Sequence, residues 1–142
     1  MKLNHTKIGI VFVAIIAAGA LLASGTGKAV MVSKGELKWK DMGIPGVVSA
    51  QVSGDMKTGP SRFFLKYPVG LTTPLHSHTA DHYATVISGS VTLTAGGKTA
   101  KLGPGSYFSL TGNIPHVAKV MGKEPVVFFI EADGPWDLVM TK

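Results

Sequence analysis

The sequence predicts an all-β domain, a sandwich or small barrel of short strands. Three observations predict it. Short runs rich in Val, Thr, Phe and Tyr recur from about residue 37 onward. Turn signals built on Gly, Pro, Asn or Asp separate them, and no stretch past residue 29 keeps a helical apolar period. The chain has 142 residues, enough for one domain and too few for two ordinary ones.

The first element is not part of that domain. Residues 8–23, "IGIVFVAIIAAGALLA", carry no charge and follow Lys2 and Lys7. A basic start, an apolar run and then small residues predict a secretory signal over residues 1–29, cut after Gly25 or after Ala29. The alternative is an uncleaved anchor. Sixteen uncharged residues make a helix of roughly 24 Å, short of a hydrocarbon core of ~30 Å. Either way the domain is exported, periplasmic or extracellular, and meets a membrane only through this segment if it is kept. Residues 24–36, "SGTGKAVMVSKGE", are mostly small and polar and predict a linker or frayed N-terminus, so that past the signal segment residues 30–36 link to a barrel domain over residues 37–142.

Within that domain "RFFLKYP", "HYATVIS", "SVTLTA", "TAKL", "SYFSL", "HVAKVM" and "PVVFFIEA" predict strands. Gly96-Gly97 predicts a tight hairpin, which needs positive φ at both central positions. Arg62, the only arginine, reads as a solvated strand-edge residue, and Trp39 and Trp136 as edge-sealing core residues. Segment 37–52 is a candidate for strand exchange in a homodimer, since exposed sheet edges invite pairing.

Composition excludes several functions. The net charge of +6 includes Lys2, Lys7 and Lys28; without them 11 basic residues face 8 acidic ones. The lysines are scattered, with no basic stripe interleaved with aromatics, so nucleic acid is not a partner. The absence of cysteine excludes disulfides, thiolate metal sites and a cysteine nucleophile.

Histidine is scarce and unevenly placed. Of five, His76, His78 and His82 lie within seven positions, His116 begins a later strand-like run, and His5 falls in the signal segment. His76 and His78 are two apart and share one face of an extended strand. Every histidine of the domain therefore belongs to one constellation, which a chance polar loop would not produce. Imidazole suits Zn, Cu, Fe and Ni.

The stretch "GLTTPLHSHTADHYATVISG" resembles the first motif of the cupin family: Gly70, His76, His78, His82 and Gly89 keep every spacing. The stretch "GSYFSLTGNIPHVAKV" resembles the second, through Gly105 and His116. There Thr111 replaces the family's proline, Asn113 its second glycine and Val120 its asparagine. Asn tolerates the left-handed conformation best after Gly, so that exchange is mild.

The resemblance implies a double-stranded β-helix, a jelly-roll barrel holding a divalent transition metal on His76, His78, His82 and His116. His82 stands where the family usually has glutamate, which removes one negative charge and a candidate base. Asp81 next to it would face away on an extended strand, as a supporting or exposed residue. The leader lacks twin arginines, so the chain is expected to fold outside the cytoplasm, where the affinity order favours Zn or Cu; Mn, Fe and Ni remain open.

Three functions follow as expectations. The first is a metal-dependent dioxygenase or related oxidoreductase acting on a small organic molecule, with Tyr83, Val86, Phe108, Val117 and Phe128 as apolar walls. The second is a non-catalytic module that senses or stores metal or a small ligand, with a closed tetrahedral site. The third is a sugar isomerase or epimerase, which requires a His–carboxylate pair.

Overall fold

Alternation decides which residues face inward. In Val126–Ala132 the side chains of Val126, Phe128, Ile130 and Ala132 are buried and those between them are not. His116–Met121 buries His116, Ala118 and Val120, and His82–Ser88 buries His82, Ala84 and Val86. Two histidines thus stand in phase with the aliphatic core because side chains in a strand repeat every second residue.

The computed structural model describes residues 27–141. The charge-free run 8–23 and the cut after Gly25 lie outside the described residues. Residues 27–33 are exposed coil, and a single 3₁₀ turn, Lys34–Glu36, follows. Among the described residues no helix is long and apolar enough to cross a membrane.

Eleven strands follow: β1 (Lys40–Asp41), β2 (Val48–Gly54), β3 (Ser61–Tyr67), β4 (His76–Ser77), β5 (His82–Ser88), β6 (Ser90–Ala95), β7 (Lys98–Leu102), β8 (Tyr107–Leu110), β9 (His116–Met121), β10 (Val126–Ala132) and β11 (Val139–Met140). They form a six-stranded sheet in the order β1-β2-β3-β10-β5-β8 and a five-stranded sheet in the order β11-β4-β9-β6-β7. All pairings between these strands are antiparallel. The predicted all-β jelly-roll barrel is the observed fold.

The core between the sheets is built on Phe63, Leu65, Val86, Val91, Phe128 and Ile130. Gly96 and Gly97, at φ 54° and 73°, turn β6 into β7 as expected. Strand β2 was absent from the predicted runs. Its residues "VSAQVSG" are mostly small or polar, and it is a strand because β3 pairs with it along most of its length. In the single chain β2 pairs with β3, so the two-residue β1 forms that edge.

Candidate metal centre

Strand pairing sets the first two histidines side by side. His76 on β4 is directly opposite His116 on β9, and their ring centroids are 4.3 Å apart. His78 follows two residues after His76; its ring lies 5.1 Å from His76 and 5.3 Å from His116. One ligand atom from each of His76, His78 and His116 lies within 4.8 Å of the other two, and all three residues are buried. These three buried histidines could hold a metal ion.

His82, at the start of β5, belongs to the same buried cluster but not to that tightest group. Its ring centroid is 4.9 Å from His78 and 5.7 Å from His116. All four histidines are at most 5% exposed.

Hydrogen bonds select the tautomers. Nδ1 of His76 donates to the Pro74 carbonyl at 2.8 Å, Nδ1 of His116 donates to the Ile114 carbonyl at 2.9 Å, and Nδ1 of His78 donates to the Asp137 carbonyl. A carbonyl only accepts, so each Nδ1 carries the proton and each Nε2 keeps a free lone pair. His82 differs: its Nδ1 is buried with no hydrogen-bond partner. The Ala80 carbonyl lies near this ring but does not form a well-aligned bond with it.

Burial favours the neutral form of three of the rings, His78, His82 and His116. Burial, with smaller contributions from the neighbouring imidazoles, lowers the His78 pKa from 6.5 to about 3, against the opposing pull of the Asp137 carbonyl. Burial likewise lowers His82 to about 4, and it pushes His116 down. Neutral imidazole is the form that binds metal. The residues therefore fit a divalent transition metal: an all-imidazole donor set, plus one orphaned buried nitrogen on His82.

The tail of the chain closes the site. Trp136 stacks on His78 with centroids 3.8 Å apart and meets the edges of His82 at 5.2 Å and Phe63 at 5.1 Å. Asp137 Oδ1 accepts the Thr79 N–H at 2.8 Å, so this residue grips the histidine segment twice. Trp136 is thus a site residue and not merely an edge seal, and Trp39 is 37% exposed with the Lys66 ammonium 4.9 Å from its ring centroid. Spacing alone could not place Trp136, which follows the last long strand in irregular chain.

Two spaces adjoin the histidines. A void of about 30 Å³ is lined by all four histidines together with Phe108, Phe128 and others. It has room for an ion or a water. A larger cavity of about 420 Å³ shares His76, His78, Leu65, Tyr67 and Trp136 with it and is otherwise mainly apolar.

Of the expected walls, Phe108 and Phe128 line the void and Val86 is in the core. Tyr83 and Val117 are not walls: each alternates with buried neighbours and takes the opposite face. Tyr83 donates to Asp133 Oδ2 at 3.2 Å on that face. Asp81 supports a loop, its Oδ1 accepting the Gly112 N–H at 2.7 Å. Arg62 pairs with Glu131 across the sheet at 2.6 Å, with both side chains exposed. Among the described residues the only ion pair is this one, and none of the four clustered imidazoles is paired with a carboxylate.

A Cupin_2 model, a cupin domain, matches residues 63–131, which carry all four histidines. Solved structures share the fold. The polyketide cyclase RemF from Streptomyces resistomycificus is 19% identical, with a TM-score of 0.67, over 81% of this chain and 87% of that one. KdgF from Halomonas sp. is 21% identical, with a TM-score of 0.62, over 76% and 94%. The DMSP lyase DddQ from Ruegeria pomeroyi DSS-3 is 15% identical, with a TM-score of 0.62, over 82% and 73%. No curated protein matches the sequence. The paired sheets, the spacing of the histidines within them and the family match together make this chain a member of the cupin superfamily.

Proposed function

We propose that the chain is an exported, metal-binding cupin acting on a small organic molecule as a metal-dependent dioxygenase or related oxidoreductase. One observation carries this reading: three imidazoles, each with its Nδ1 proton held by a carbonyl and its Nε2 lone pair free, bring one ring nitrogen apiece within 4.8 Å of the others beside a cavity of about 420 Å³. His76, His78 and His116 would hold the metal, with His82 as a fourth ligand. A divalent metal there supplies Lewis acidity and, if redox-active, electron transfer. The protein orients the rings through Pro74, Ile114 and Asp137, and Trp136, Phe108 and Phe128 line the inner void beside them. A homodimer formed through a sheet edge belongs to the same proposal.

The size of the inner void favours a second reading. Thirty cubic ångströms among four imidazoles suits a closed tetrahedral Zn, which performs no redox chemistry. The site would then be structural or ligand-sensing. Elemental analysis of protein from its exported location, with an X-ray absorption count of ligands, separates the two. Cu, Fe, Mn or Ni with more positions than the histidines fill supports the oxidoreductase. Zn with four nitrogen ligands overturns it in favour of the binding module.

A further inference from the structure

The larger cavity is unusual in its charge rather than its size. Its wall is formed largely by Met42, Ile44, Val47, Leu65, Leu71 and Leu138. Among the described residues no lysine or arginine lines it. Its one carboxylate, Asp137, is anionic and already accepts the Thr79 N–H. Arg62 lies on the outer face with Glu131. The apolar lining continues to the rim, where Ile44 is 39% and Leu138 48% exposed. The end that it shares with the inner void carries His76, His78 and Tyr67, and Thr73 is the other neutral polar residue of its wall. Burial raises the Tyr67 phenol to about 12, so that hydroxyl keeps its proton as a donor.

We infer that this cavity takes an uncharged, largely apolar organic molecule with a single oxygen-bearing end, which points to His76 and His78 while the body lies along the aliphatic wall. A carboxylate, phosphate or sulfonate along the body would lose its hydration with no cation to replace it, and would approach Asp137. A metal on the histidines balances one oxygen at the inner end and nothing further out. The orientation of the oxygen end rests on the metal reading above; the selection of the body rests on the cavity alone.

Calorimetric titration with two matched sets tests it: 2-naphthylmethanol against naphthalene-2,6-dicarboxylate, and cyclohexylmethanol against cyclohexane-1,4-dicarboxylate. Each is added to the full chain, metal-free and zinc-loaded. The alcohol of at least one set should bind the metal-free protein tenfold or more tighter than its dicarboxylate. Zinc should then alter the alcohol's affinity; if it does not, the metal reading fails while the cavity assignment stands. Dicarboxylates binding as tightly as the alcohols, or no alcohol binding below millimolar concentration, overturns the assignment. Leu138→Lys, at an exposed rim position that leaves the core intact, should cut the alcohol preference at least threefold. An unchanged preference would mean that the compounds bind elsewhere, which also overturns it.

Discussion

Trp136 lies nearly flat on His78, ring centroids 3.8 Å apart and planes inclined by 22°. The residue that covers the site thus lies beyond the stretch matching the cupin domain, in the irregular segment between β10 and β11. That segment also supplies the carbonyl that orients His78.

Trp136→Ala should lower stability by about 2–3 kcal/mol, since it removes the stack on His78 and the edge contacts to Phe63 and His82. Trp136→Phe should keep most of it, as thermal melts would show. Copper loading should quench emission in the parent protein and leave the Trp39 emission of Trp136→Phe largely intact. Equal quenching in both would place the metal away from His78.

The ligand hierarchy should follow geometry. His76→Ala and His116→Ala each remove a member of the tight group and should weaken zinc binding about 100-fold or more in a chelator competition. His82→Ala removes the outlying ring and should weaken it about tenfold. His82→Glu should retain metal, with altered preference. An unchanged affinity in His82→Ala would define a three-histidine site.

Stability should fall on acidification below neutrality. His78 and His82 have folded pKa values of about 3 and about 4, below the unfolded value of 6.5. Between those values the unfolded chain binds more protons, so stability decreases as pH falls, by up to ~1.4 kcal/mol per unit for each ring. Above pH 7 both rings are neutral in either state and contribute no slope. Urea midpoints of the metal-free protein from pH 8 to pH 4 should therefore be flat at first and then decline. A midpoint constant down to pH 5 would contradict the burial of these rings.

Gly89→Ala should cost about 3 kcal/mol or more. Gly89 has φ 75°, and an added Cβ would sit 2.3 Å from the Pro125 carbonyl oxygen. By contrast Asn113→Gly should be nearly neutral and Asn113→Val should lose about 1–2 kcal/mol, because Asn113 holds φ 65°. Denaturant melts of the three variants check both statements.

Much of the fold could be read directly from residues. The alternation in "HYATVIS", "HVAKVM" and "PVVFFIEA" names the inward face of each strand, and with it the burial of His82 and His116. Gly96-Gly97 announces its hairpin, and Asn113 its left-handed turn. The same period reveals, once the strand bounds are known, that Tyr83 and Val117 face away from the cavity; those two were expected as walls because their apolar character was weighed without their phase.

Other features depend on residues far apart in sequence. β2 is a strand through its pairing with β3, although its own residues are weak strand formers. Asp137 accepts from a histidine 59 residues earlier, and no local pattern marks it for that role. Backbone preference and side-chain alternation act over a few residues, so the sequence alone marked the longer strands other than β2, the turns between them and the clustering of the histidines. The cover over His78, the tautomer of its ring and the mainly apolar cavity came only with closure of the two sheets, because the path of an irregular segment is settled by the sum of contacts it meets there.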